Sequence, residues 1–194
     1  LYHSALLEKF DFNDIVISIK SSNVKTMIDA YRLISEKCCY PLHLGVTEAG
    51  TERMGLIKSS IGIGSLLADN IGDTIRVSLT ASPEKEIYAA KDILKSLGML
   101  ENGAVIVSCP TCGRTKINLI KLAEQVEEAL KACDKPITVA VMGCAVNGPG
   151  EAKEADIGIA GGDGCALLFK KGEIIKKVDE KDVLNVLLEE IDLL

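Results

Sequence analysis

The chain has 194 residues, 47% of them hydrophobic, and a formal net charge of −6. That is enough apolar material for one large core or two small ones, so a disordered chain is excluded. The acidic balance argues against general nucleic-acid binding, and no apolar run approaches the roughly 20 residues of a membrane span.

The N-terminus shows no basic stretch followed by an apolar one and a small-residue cleavage site, so a soluble, cytoplasmic protein is expected. Most of the acidic excess falls after residue 98, which makes the first part the better host for an anionic ligand. There are seven cysteines, an odd number unevenly clustered, and without a secretory signal they read as reduced thiols, some of them metal ligands.

The chain opens on Leu1 to Leu7, which looks like the middle of a helix, so a C-terminal piece of a longer protein is expected. A β-branched run from Ile15 to Ile19 predicts a strand. From Val24 to Lys37, Met27, Ile28, Tyr31 and Ile34 fall on one helical face. Leu42 to Val46 reads as the next strand and Ile57 to Leu67 as part of a helix. Ile75 to Leu79 is a third strand, and a helix runs from about Pro83 to Leu97, with Pro in its first turn and Gly98 past its end. Alternation of this kind builds parallel sheet.

After Gly98 the pattern changes, and a domain boundary is expected between residues 98 and 99. Val105 to Val107 is a strand running into Cys109-Pro-Thr-Cys-Gly-Arg114. A helix follows from about Ile117 to Ala132, and then a strand from Ile137 to Met142 runs into Cys144. Short strands are expected at Ile157 to Ile159, Ala166 to Phe169 and Ile174 to Val178. An amphipathic helix closes the chain from Val183 to Ile191.

Cys109 and Cys112 form a C-x-x-C pair between a strand and a helix, where the helix N-terminus favours thiolates. If the two cysteine-bearing strands are neighbours, Cys144 joins them at one end of a sheet. A structural zinc site normally has four Cys or His ligands, and His3 and His43 both belong to the first half. Cys133, Cys165 and the vicinal pair Cys38-Cys39 read as packing residues. Three thiolates with an exchangeable fourth position suit a cubane cluster, with Glu151 the nearest oxygen ligand. A zinc-stabilised interaction module and a thiol–disulfide oxidoreductase using Cys109 and Cys112 remain open. Lys58 and Ser59 are read as opening a helix beneath Gly55, either as caps or as an anion site. Arg114 either tunes the charge near the cysteines or pairs with an acidic neighbour.

At Cys109-Pro-Thr-Cys-Gly-Arg114 and Gly143-Cys-Ala-Val-Asn-Gly-Pro-Gly-Glu-Ala152 the sequence resembles the 4-hydroxy-3-methylbut-2-en-1-yl diphosphate synthase family of the non-mevalonate isoprenoid pathway. The similarity extends through Pro41-Leu-His-Leu-Gly-Val-Thr-Glu-Ala-Gly50, Ser59-Ser-Ile-Gly62 and Gly72-Asp-Thr-Ile-Arg-Val-Ser-Leu79. The resemblance implies an α/β fold: the C-terminal portion of a TIM (β/α)8 barrel in residues 1–98, and a compact α/β [4Fe–4S] cluster domain in 99–194. It implies that Cys109, Cys112 and Cys144 hold the cluster, with Glu151 on the fourth iron. Asn147 would face the substrate.

The implied reaction is reductive ring opening of 2-C-methyl-D-erythritol 2,4-cyclodiphosphate, with loss of a hydroxyl as water. A flavodoxin or ferredoxin would supply the electrons. In the barrel half, Lys20, Glu48, Arg76 and Ser78 lie in or at the C-terminal ends of strands, where barrel active sites sit. Lys20 and Arg76 suit a diphosphate, and Ser78 points the same way as Arg76. Glu48 would deliver a proton. Without the resemblance, structural ion pairing is an equal reading of these four. In the family, the cluster domain of one protomer caps the barrel of another, so a head-to-tail homodimer is expected of the full-length protein.

Overall fold

The computed structural model describes residues 1–131 and 133–194, so the expected helix end at Ala132 lies outside the described residues. The chain divides into two compact units, Leu1–Leu100 and Glu101–Leu194.

The first unit contains α1 (Tyr2–Glu8), α2 (Val24–Ser35), β1 (His43–Leu44), α3 (Glu52–Ala68), β2 (Thr74–Ile75) and α4 (Pro83–Ser96). β1 and β2 run parallel with His43 opposite Thr74, and Ile17 bridges to Leu42 in parallel on the other side of β1. The apolar runs predict strands of about five residues, but regular pairing is shorter. A sheet of so few strands gives each run little to hold its register. The sheet is open, not closed into a barrel.

Side chains alternate across it. Ile17, Ile19, Leu42, Leu44, Val46, Ile75, Val77 and Leu79 pack against the helices, around the fully buried Met27, Tyr31, Ile63 and Leu66. Asn23 starts α2 by accepting the Thr26 amide at 2.9 Å. The Tyr31 hydroxyl donates to the His43 carbonyl at 2.5 Å and accepts the Ile19 amide at 2.8 Å, tying the first strand run to β1.

α3 begins at Glu52 with Thr51 at its N-cap position, which corrects the expectation for Lys58 and Ser59. Both lie in the second turn, where the helix amides are already engaged, and Ser59 is fully buried. The apolar run masked this start, because its first turn carries the polar Glu52 and Arg53.

The second unit contains β3 (Val105–Ser108), α5 (Leu119–Leu130), β4 (Thr138–Met142), α6 (Gly148–Glu151), β5 (Ile157–Gly162), β6 (Cys165–Lys170), β7 (Glu173–Asp179) and α7 (Val183–Asp192). The five strands form one sheet in sequence order. β3, β4 and β5 are parallel, and β5, β6 and β7 antiparallel. On one face, Val139, Val141, Ile157, Ile159 and Leu168 pack under α5 and α7. On the other, Ala140, Met142, Ala160 and Phe169 pack against Ala152 and Ala155. Phe169 is fully buried and its ring fills the space over Gly158, where a Cβ would stand 2.5 Å from Cζ. Truncating a ring so enclosed costs about 3–5 kcal/mol.

Among the described residues, no helix is long and apolar enough to cross a membrane.

Candidate active site

Two groups of polar side chains stand out, one in each unit. In the second unit, β3 and β4 are adjacent and parallel, with Ser108 opposite Val141. Each strand ends in a cysteine loop at the same sheet edge, as expected from the strand–cysteine pattern.

The Gly143 amide donates to Cys109 Sγ at 3.2 Å, and the Gly143 carbonyl accepts the Lys116 amide at 2.9 Å. One residue therefore holds the C-x-x-C loop to the Cys144 loop through both of its backbone groups. Gly143 is packed from behind: a Cβ there would lie 3.0 Å from Thr115 Oγ1 and 3.1 Å from Leu119 Cδ2. Thr115 Oγ1 also accepts the Cys112 amide at 3.2 Å.

Cys112 is exposed, and its pKa is held below the usual thiol value. The main cause is the backbone N–H of Arg114. The Thr115 hydroxyl and the positive charge of Arg114 act in the same direction. Arg114 thus favours the thiolate through its amide and its charge together.

Cys144 is partly buried, and its carbonyl accepts the Gly148 amide at 3.1 Å. α6 is a single turn pressed onto the sheet at Gly148, where a Cβ would stand 2.8 Å from Met142 Cβ and 2.9 Å from Ala160 Cβ. Only glycine fits so close an approach. The turn brings Asn147 and Glu151 together, with Asn147 Nδ2 donating to Glu151 Oε1 at 3.2 Å.

Cys133 is partly buried against the core beyond α5, and Cys165 opens β6 opposite Gly162 and Asp179. Cys38 packs against the first unit's core with its thiol on the Ile34 carbonyl at 3.5 Å, and Cys39 is exposed. Among the described residues, no three Cys, His, Asp or Glu side chains converge tightly enough to hold a single metal ion. A polynuclear cluster spaces its thiolate ligands more widely than one ion does. Soft thiol donors on adjacent loops, two of them receiving backbone N–H bonds, fit such a cluster.

In the first unit, Ser18, Lys20, His43, Thr74, Arg76 and Ser78 alternate with the core residues and so share the sheet face turned away from the helices. Burial and the neighbouring Arg76 charge hold the Lys20 pKa below that of an ordinary lysine. Burial, then Lys20 and Arg76, do the same to His43. Among the described residues, neither Lys20 nor Arg76 has an ion-pair partner. Lys20 and Arg76 thus stand together as like charges with no carboxylate to offset them.

Glu48 is exposed, four residues past β1, with φ at +52°. Sequence reasoning passed over His43 except as an absent zinc ligand. Its signal is the two-residue alternation that puts it in the row with Lys20 and Arg76, and its Nδ1 lies 2.8 Å from Thr74 Oγ1.

An α/β chain with a cysteine site at parallel strand ends, and a separate unpaired cation pair, narrows the class before any comparison. Residues 1–91 match the family model described as GcpE TIM-barrel domain, and residues 105–193 match GcpE protein C-terminal domain. The chain belongs to the GcpE family.

It is 63% identical over 192 residues to a Clostridium perfringens protein named 4-hydroxy-3-methylbut-2-en-1-yl diphosphate synthase (flavodoxin), covering 99% of this chain and 55% of that protein. A Fusobacterium nucleatum protein of the same name is 63% identical over 187 residues, covering 96% of this chain and 53% of its own length. One from Brevibacillus brevis is 56% identical over 190 residues, at 98% and 53%. The chain spans about half the length of the curated relatives it matches.

Proposed function

We propose that this chain is the carboxyl-terminal part of a flavodoxin-dependent 4-hydroxy-3-methylbut-2-en-1-yl diphosphate synthase. On this reading the whole protein reductively opens a cyclic diphosphate, consuming two electrons and two protons and releasing one water. The observation that carries the proposal is the placement of Cys109 and Cys144 at the ends of adjacent parallel strands, bridged by the Gly143 amide. The name shared by the relatives supports both the reaction and the flavodoxin donor.

Residues 1–98 would form the end of a TIM barrel and 99–194 the cluster domain. Cys109, Cys112 and Cys144 would hold a [4Fe–4S] cluster, with Glu151 as an exchangeable fourth ligand. When bound, such a cluster supplies single electrons in succession and a Lewis-acidic iron.

The remaining work falls to the chain's own side chains. Lys20 and Arg76 bind the diphosphate, Arg76 through its planar fork, and Ser78 adds a hydroxyl on the same face. Glu48 donates a proton to the departing hydroxyl oxygen, which leaves as water. Asn147 holds the Glu151 carboxylate through Nδ2 and releases it when a substrate oxygen takes over that hydrogen bond. In the full-length protein the cluster domain of one copy would serve the barrel of another, in a head-to-tail homodimer.

The deciding experiment measures iron, acid-labile sulfide and zinc per chain after purification and reconstitution without oxygen. About four iron and four sulfide with a brown colour support the proposal. About one zinc without sulfide overturns it and leaves a structural site.

A further inference from the structure

The row Lys20, Gly45, Arg76 crosses three neighbouring strand runs at one level, and its middle member has no side chain. A Cβ on Gly45 would stand 3.2 Å from Lys20 Cε and 3.6 Å from Lys20 Nζ. The lysine stem therefore lies across β1, over the position where any other residue would put its side chain. The same Cβ would stand 2.9 Å from the Arg76 carbonyl oxygen, and a backbone atom cannot swing aside as a lysine can. One level below, His43 occupies the middle strand, its ring nitrogen 2.8 Å from the Thr74 hydroxyl. Its carbonyl is fixed by the Tyr31 hydroxyl at 2.5 Å and the Ser18 hydroxyl at 3.1 Å.

Two cations draw together against their mutual repulsion only if the scaffold holds them or an anion joins them. Here the scaffold does so by omission. We infer that Gly45 is a positioning residue of the anion site: its missing side chain lets the Lys20 ammonium cross β1 to stand beside Arg76. One phosphate group then meets both charges over a floor made by His43. The inference rests on the reading of Lys20 and Arg76 as diphosphate ligands and names the residue that makes them act as a pair. A side chain at position 45 would press on the Lys20 stem at Cε and on the Arg76 carbonyl, and so disturb the pairing.

The test uses the full-length protein and inorganic pyrophosphate as probe, with binding measured by calorimetry near neutral pH. Lys20→Met and Arg76→Met should each weaken binding about tenfold or more. Gly45→Ala should weaken it clearly more when Lys20 is present than in the Lys20→Met background. Equal losses from Gly45→Ala in both backgrounds would mean that the glycine acts only through the fold, and would overturn the inference while leaving the anion site intact. Unchanged binding in Lys20→Met and Arg76→Met would instead overturn the diphosphate reading beneath it.

Should Gly45→Ala lose its fold, competitive acetylation of lysines decides the point. Pyrophosphate protecting Lys20 in the wild-type protein but not in Arg76→Met shows one shared seat. Equal protection in both proteins refutes it.

Discussion

The backbone amide of Gly143 points at the sulfur of Cys109 from 3.2 Å, so the loop carrying one cysteine is fixed by the residue just before another. A methyl group at position 143 would enter the space held by Thr115 and Leu119. Gly143→Ala is therefore expected to cost about 1–3 kcal/mol of stability, the usual range for overpacking. It should also lower the iron retained per chain. Thermal unfolding together with iron analysis checks both effects, and an unchanged iron content would mean that this bond does not organise the site.

The seven cysteines divide by position. Cys144→Ser should abolish iron binding and the visible absorbance, because Cys144 ends the strand next to the C-x-x-C loop. Cys133→Ser and Cys165→Ser should keep both, since these thiols lie beyond α5 and at the start of β6. Reconstitution of the three variants side by side, read by iron content and visible spectrum, separates a three-thiolate site from one that recruits a fourth sulfur.

Glu151→Ala should retain most of the iron and lose turnover at least about a hundredfold, the upper end for loss of a single ligand-sphere partner. Asn147→Ala should act in the same direction but more weakly, because it removes only the 3.2 Å bond to that carboxylate. Steady-state kinetics on full-length protein with reduced flavodoxin measures both. Wild-type rates in Glu151→Ala would remove its assigned role.

His43 carries a pH prediction. Burial and the charges of Lys20 and Arg76 lower its pKa, so folding favours the neutral ring. A group whose pKa is depressed on folding contributes stability above its unfolded value, near 6.5, and that stability is lost as pH falls toward the folded value. The melting temperature should therefore fall more steeply below about pH 6.5 in the wild-type chain than in His43→Gln. Added pyrophosphate should flatten the wild-type slope by offsetting the repulsion. Parallel slopes in the two proteins would show that His43 does not titrate on unfolding.

Much of this arrangement was legible in the sequence, and the parts that were not have physical reasons. Apolar runs located every strand from β3 to β7: β4, β5 and β6 are largely buried, while β3 and β7 are mostly exposed and turn only Ile106 and Val178 to the core. The strand–cysteine junctions at Cys109 and Cys144 could be read from the same runs. The paired strands of the first unit came out shorter than their apolar runs, since hydrophobic pattern reports which face is buried and not how many hydrogen bonds close. The start of α3 was misplaced to Lys58 and Ser59 because its first turn opens on the polar Glu52 and Arg53. α6 went unseen: Gly148-Pro149-Gly150 reads as a turn, and the single helical turn is closed by backbone bonds from Glu151 to Asn147 and from Ala152 to Gly148. His43 was overlooked because a histidine between two leucines declares nothing until register sets it beside Thr74.

Glu48 holds a backbone conformation that glutamate disfavours by about 1–2 kcal/mol and that glycine adopts without strain. Glycine at this position would relax the loop and discard the carboxylate in a single change. If Glu48 has the proton-delivering role proposed for it, selection for thermal robustness and selection for activity pull this one codon in opposite directions. On that proposal, a library screened only for folding would drift toward molecules that are sturdier and chemically mute.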